Sequence, residues 1–206
     1  MKKFVITIGR QIGSGGKEIA ERLARRLGVN VYDKKLIDVA ARESGIDPAF
    51  FASADERESQ HFLGGMFSIH GSMSDYITGS SYMQGDKLFE IQSEAIRNLA
   101  EQENCIIVGR CAEYVLRNHP GMTSIFITAD HNDRIARIMK SEGLEHSKAA
   151  EHIEKEDKKR RNYHDYYATT HWGEARSYDL CINSSRMGIE GTVEFLYSFL
   201  NSRTGR

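Results

Sequence analysis

The residues with the clearest chemical potential stand together near the N-terminus, in Gly13-Ser14-Gly15-Gly16-Lys17-Glu18. A turn that wraps its backbone N–H groups around phosphate oxygens needs residues free to take positive φ and to approach a ligand without a Cβ. Glycine meets both needs, and Gly9, Gly13, Gly15 and Gly16 supply it here. Lys17 is expected to open the following helix, where its ammonium can reach β- and γ-phosphates beside the positive helix N-terminus. Strand, glycine-rich loop, lysine, helix is the order of a phosphate-binding P-loop.

The pattern G-x-x-x-x-G-K-[ST], anchored on Gly16 and Lys17, puts Gln11 at the first glycine and Glu18 where Ser or Thr contacts magnesium. Counted from Gly9, the loop is longer than that pattern. Two other readings stay open at this point. One is a tight strand-to-helix turn without a ligand. The other is a dinucleotide-binding turn, because Gly13-x-Gly15 begins G-x-G-x-x-G and Asp33 ends the second apolar run, where an acid binds a ribose hydroxyl. Glu18 at the third glycine and the presence of Lys17 count against that reading.

Phosphoryl transfer asks a protein chiefly for charge neutralisation and in-line positioning, so several cations should converge on the phosphates. The chain offers Lys17, Arg110 and the run Lys158-Lys159-Arg160-Arg161. A basic run of this kind also fits a solvated helix face, and Arg110 could form a structural ion pair with Glu113 or Asp33. Asp157 is placed to orient Arg160, to meet magnesium, or to make an i,i+3 helix pair. Arg134 and Arg137 have helical spacing and face either a nucleotide or solvent. The usual metal anchors are missing, since no hydroxyl residue follows Lys17 and no acid lies in Cys105–Val108. Asp33, expected at the ligand end of its strand, is the candidate for magnesium or an acceptor hydroxyl, with Ser14 and Glu18 as substitutes.

These groups need a scaffold. Phe4–Ile8, Val29–Tyr32, Cys105–Val108, Ser124–Thr128 and Asp179–Ile182 are short apolar, β-prone runs. Between them Ile19, Ala20, Leu23, Ala24 and Leu27 fall at helical spacing, as do Leu36, Ile37, Val39 and Ala40, in a helix closing near Gly45. A last helix is expected over Gly188–Leu200. Alternation of this kind predicts an α/β fold, a parallel sheet of about five strands flanked by helices in three layers. Residues 50–85 mix glycine, serine, aromatics, Met66, Met73 and Met83 without a period and read as a substrate-side insert. Lys155–Tyr167 is basic and aromatic and reads as a helix and the turn after it.

A chain of 206 residues with 40% apolar and 28% charged residues suits one domain. No run approaches the roughly 18 apolar residues of a membrane span, and a net charge of −1 does not recommend a nucleic acid polymer. The three cysteines form no C-x-x-C. Cys105 and Cys181 lie in apolar runs and are expected to be buried thiols, which points to a reducing cytoplasm. The histidines show no metal-ligand spacing.

Residues 6–20, with Tyr32-Asp33-Lys34, resemble the cytidylate kinase-like family of P-loop proteins. So do Cys105-Ile106-Ile107-Val108-Gly109-Arg110-Cys111-Ala112-Glu113-Tyr114, Asp157-Lys158-Lys159-Arg160, His171-Trp172-Gly173 and Tyr178–Asn183. The resemblance implies a fold like that of nucleoside monophosphate kinases, a lid over 155–170, ATP with Mg2+, and Arg160 as a lid cation. It also implies that Arg110 binds the acceptor, with Cys111 where true cytidylate kinases carry an aspartate. The expectation is an ATP-dependent phosphotransferase acting on a nucleoside monophosphate such as CMP or another small acceptor. A non-catalytic nucleotide-binding regulator and a dinucleotide-dependent oxidoreductase are the alternatives, and a homodimer is the base-rate expectation. Lys17→Ala is expected to abolish ATP binding or turnover.

Overall fold

A computed structural model describes residues 3–43, 45 and 74–204. Five strands alternate with helices. They are β1 (Val5–Arg10), α1 (Gly16–Leu27), β2 (Asn30–Tyr32), α2 (Lys34–Glu43), α3 (Ser74–Gln102), β3 (Cys105–Val108), the short α4 (Ala112–Val115), β4 (Met122–Thr128), α5 (His131–Glu142), α6 (His146–Tyr167), β5 (Leu180–Asn183) and α7 (Gly188–Thr204). The strands run parallel in the order β2-β3-β1-β4-β5. All five expected strands are present within one or two residues of their expected bounds. The order also separates the P-loop reading from its rival, because a dinucleotide fold places β2 beside β1, whereas β3 and β4 flank β1 here.

The chain divides into two units, residues 1–34 with 96–206, and residues 35–95. In the larger unit, Ile6, Ile8, Ile106, Val108, Ile125 and Ile127 pack against Ile19 and Leu23 of α1 and Val193, Leu196 and Leu200 of α7. These strands read as continuous apolar runs because a parallel sheet is covered on both faces. A second small cluster joins Ile135 and Ile138 of α5 to Ala149 and Ile153 of α6, and the side chain of Ile12 packs against it. In the smaller unit, Ile37, Ala41, Ile91 and Ala95 are buried, and the Gln92 amide donates to Asp38 Oδ1 at 2.6 Å.

Two expectations need correction. Cys181 is exposed, not buried: among the described residues β5 pairs only with β4, and the alternation of an edge strand turns Ile182 inward and its neighbour out. Helix α3 begins at Ser74, inside the segment read as aperiodic. The rest of the expected insert, residues 50–73 with Met66 and Met73, lies outside the described residues.

Candidate functional site

The glycine loop connects β1 to α1 and is shaped from both ends. Gly13 and Gly15 take φ of 72° and 78°, the left-handed region that glycine occupies without strain. A Cβ on Gly13 would stand 2.7 Å from the Arg134 carbonyl oxygen, so that position is closed to any other residue by contact as well as by φ. Gly15 caps α1, and Gly16, not Lys17, is the first helical residue. Gly9 lies within β1, where a Cβ would meet the Phe126 ring at 2.8 Å; its role is packing, not loop freedom.

The loop carbonyls are held by donors from other elements. Arg134 Nε donates to the Ile12 carbonyl at 2.8 Å, Arg137 Nη1 to that of Gly13 at 3.0 Å, and the Ser184 hydroxyl to that of Ser14 at 2.7 Å. The Ile12 N–H donates to Asp157 Oδ1 at 2.8 Å, and Asp157 Oδ2 receives Arg134 Nη2. Among the described residues no backbone acceptor meets the N–H groups of Gly13, Gly15, Lys17 and Glu18. Unpaired donors at a helix N-terminus form an anion site.

The expected cations and acids are placed as follows. Lys17 is two-thirds exposed, with Nζ 3.2 Å from Asp33 Oδ2 and 4.0 Å from Glu21. Glu18 is turned away to Arg22 at 2.6 Å. The Ser14 hydroxyl is buried and donates to the Gln11 carbonyl at 2.8 Å, so it stays inside the loop. Asp157 is buried against Arg134 and Ile12 and is a structural anchor, as is Arg134, which is 6% exposed. Asp33 faces Lys17 beside the loop and is not among the residues lining the cavities described next.

Two cavities open at the C-terminal ends of the strands, within the larger unit. One, of about 850 Å³, is lined by the loop, Lys17, Glu18, Arg137, Lys140 and Ser141. The other, of about 450 Å³, is lined by Lys34, Arg110, Cys111, Glu113, Tyr163 and Trp172 among others. Arg110 and Cys111 take φ of 58° and 52°, an unfavourable conformation for non-glycine residues that tends to persist at functional sites. The turn delivers the Arg110 guanidinium to the second cavity, 5.0 Å from the Tyr163 ring centre.

Glu113 is taken by His164, whose Nε2 lies 2.9 Å from Glu113 Oε1 while Nδ1 lies 3.0 Å from Asp165 Oδ1. The first contact is close but not aligned as a hydrogen bond, so it is an ionic contact. Burial pulls the imidazolium down, and Glu113 and Asp165 together raise it above its ordinary value. Asp165 Oδ1 also accepts the Trp172 N–H at 2.8 Å. Thus one buried histidine links the Arg110 turn, α6 and the segment after it. Burial pushes the Cys111 thiol up strongly, so it is a neutral wall of the cavity.

Arg160 lines both cavities and donates from Nη1 to the Arg10 carbonyl at 3.0 Å. Arg10 also lines both. Sequence reasoning missed Arg10 and His164. Arg10 sits next to a glycine at the strand end, and its spacing alone carried a signal that went unused. His164 had none: Glu113 is remote in sequence, and Asp165 beside it marks no motif.

Comparison with known proteins agrees with this geometry. The model of the cytidylate kinase-like family matches residues 5–186. An uncharacterized protein from Eubacterium ventriosum is 28% identical, with a TM-score of 0.74, covering 97% of this chain and 99% of that one. Shikimate kinase from Bacteroides thetaiotaomicron is 15% identical, with a TM-score of 0.53 and coverage of 96% and 98%. Shikimate kinase from Acinetobacter baumannii, solved in complex with shikimate, is 11% identical, with a TM-score of 0.52 and coverage of 98% and 94%. At these identities the last two show a shared P-loop kinase fold. No curated protein matches the chain.

Proposed function

This chain belongs to the cytidylate kinase-like family, and from that premise we propose that it is an ATP-dependent phosphotransferase that moves the γ-phosphoryl group to a nucleoside monophosphate, CMP-like, or another small acceptor. The observation that carries the reading is the pair of cavities at the strand ends, one built on the phosphate-binding loop and the other on Arg110, with guanidinium groups at their junction.

ATP takes the larger cavity, its phosphates on the loop N–H groups of Gly13, Gly15, Lys17 and Glu18 and beside the Lys17 side chain. The acceptor takes the smaller one, with Arg110 on its anionic group and Tyr163 and Trp172 against its ring. Arg160 meets the transferred group. Asp33, which meets Lys17 beside the loop, is the residue that would hold Mg2+, since a magnesium ion keeps several waters and takes one or two carboxylates together with the nucleotide's phosphates. When bound it supplies charge neutralisation on those phosphates. A segment over 155–170 acting as a lid, a homodimer and a cytoplasmic location complete the proposal. The three free cysteines are consistent with a reducing compartment, and among the described residues no helix is long and apolar enough to cross a membrane.

A second reading, a nucleotide-binding regulator without turnover, is favoured by the absence of a hydroxyl after Lys17 and by the engagement of Glu18 with Arg22. An acceptor panel separates the two. ATP consumption with magnesium is followed with nucleoside monophosphates, nucleosides and small hydroxylated metabolites. Acceptor-dependent consumption is expected. ATP binding with no turnover on any acceptor selects the regulator.

A further inference from the structure

Among the described residues, the two cavities share only Arg10 and Arg160 in their linings. A phosphoryl group that leaves a nucleotide in one for a molecule in the other passes between them.

The register of the loop says which cation waits there. Gly15 is the left-handed cap and Gly16 the first residue of α1. In the pattern G-x-x-x-x-G-K-[ST] the lysine follows the last glycine of the loop. That place is held here by Gly16, the hydroxyl place by Lys17, and the first-glycine place by Arg10. Lys17 is two-thirds exposed and points to Asp33 and Glu21. The space over Gly16 is filled from the strand instead: a Cβ there would stand 2.6 Å from Arg10 Cβ and 3.1 Å from Arg10 Cγ. The Arg10 side chain then runs to the Arg110 turn, where a Cβ on Gly109 would stand 2.0 Å from Arg10 Nη1. Two glycines therefore clear a channel that fixes one guanidinium between the cavities.

Resting on the phosphotransferase reading, we propose that Arg10 is the catalytic loop cation, which meets the γ-phosphoryl group in the place of the P-loop lysine, while Lys17 serves the rim. In the step, an acceptor oxygen forms a bond to the γ-phosphorus as the bond to the β,γ-bridging oxygen breaks. ADP leaves with that electron pair, and any proton on the acceptor oxygen passes to water. Arg10 keeps its protons and donates N–H bonds to the equatorial oxygens, over which charge is spread. Burial, then the nearby Arg160 and Arg110, lower its pKa to about 10. It remains a cation at neutral pH, with Asp33 and Glu113 opposing the two arginines.

The test compares binding of ADP and of β,γ-imido ATP, each with magnesium, by calorimetry in the wild type and in Arg10→Met, Arg10→Lys and Lys17→Ala, with melting curves as a check on folding. Arg10→Met should weaken the imido analogue about 10- to 100-fold, as expected for a lost charged hydrogen bond, and weaken ADP by clearly less. Arg10→Lys should recover part of the loss, and Lys17→Ala should weaken both nucleotides alike. Equal losses for both nucleotides in Arg10→Met overturn the proposal, as does loss of γ-phosphate discrimination in Lys17→Ala alone. A wild type that binds neither nucleotide removes the phosphotransferase reading itself, and Arg10's role with it. If Arg10→Met does not fold, Arg10→Lys carries the same comparison.

Discussion

The loop is held by a buried ion pair, and replacing Asp157 with alanine should show how much depends on it. Its carboxylate accepts the Ile12 N–H and pairs with Arg134, and the two side chains are 10% and 7% exposed. Alanine leaves the Arg134 guanidinium buried without a counter-charge, which costs about 3–5 kcal/mol. For a chain of this size each kcal/mol lowers the melting temperature by about 2–4 °C, so a fall of about 6–20 °C is expected in calorimetry. Nucleotide affinity should fall with it, because Ile12 loses the contact that turns its peptide. The double substitution Arg134→Met/Asp157→Leu separates the two effects. A buried pair exchanged for apolar residues of similar volume is often neutral in stability, so melting should recover while ATP binding does not. A fall below about 2 °C in the single variant, or wild-type ATP binding in the double variant, would refute the assignment of this pair as the clamp that shapes the loop.

Three further outcomes follow. His164 has a folded-state pKa above its unfolded value of about 6.5, so its contribution to stability is complete below that pH and is lost as pH rises through the raised value; the stability gap between wild type and His164→Gln, read by urea melts across pH, should shrink toward alkaline pH, and a constant gap would contradict the charged pair. Gly16→Ala places a Cβ 2.6 Å from Arg10 Cβ and should destabilise by about 1–3 kcal/mol, as overpacking does, with the loss measured in denaturant; a neutral result would mean that Arg10 does not fill that space. Arg110→Ala should raise the acceptor KM more than it changes ATP affinity, since Arg110 lines the smaller cavity and not the loop cavity; the reverse split in steady-state kinetics would reassign it.

The sheet was legible because each strand is a short apolar run between turn residues, and the helix of Ile19, Leu23 and Leu27 because its period is unbroken. The start of α3 was not, because Gly79, Gly85 and the serines near them give no helical stripe. Arg134 and Arg137 read as facing a nucleotide or solvent, and Asp157 as a partner of Arg160, a magnesium ligand or half of a helix pair, since periodicity shows which face a residue occupies and not which distant partner it meets. Ile12, an apolar residue in a polar loop, was the available hint that the loop is anchored, and it reaches the α5–α6 cluster. Cys181 shows the same limit from the other side: an apolar run marks a strand but does not tell an edge from a centre. The loop carried the most meaning and the least certain register, because a run of adjacent glycines lets the pattern slide by one residue, and only the cap at Gly15 fixes it.

The central claim is phosphoryl transfer, and the most direct measurement follows the γ-phosphate. With ATP labelled at that position, magnesium and CMP-like or other small acceptors, the label should move into an acceptor, at a rate that depends on acceptor concentration. Label that stays in ATP with every acceptor, or that appears only as inorganic phosphate at a rate no acceptor changes, would contradict the account.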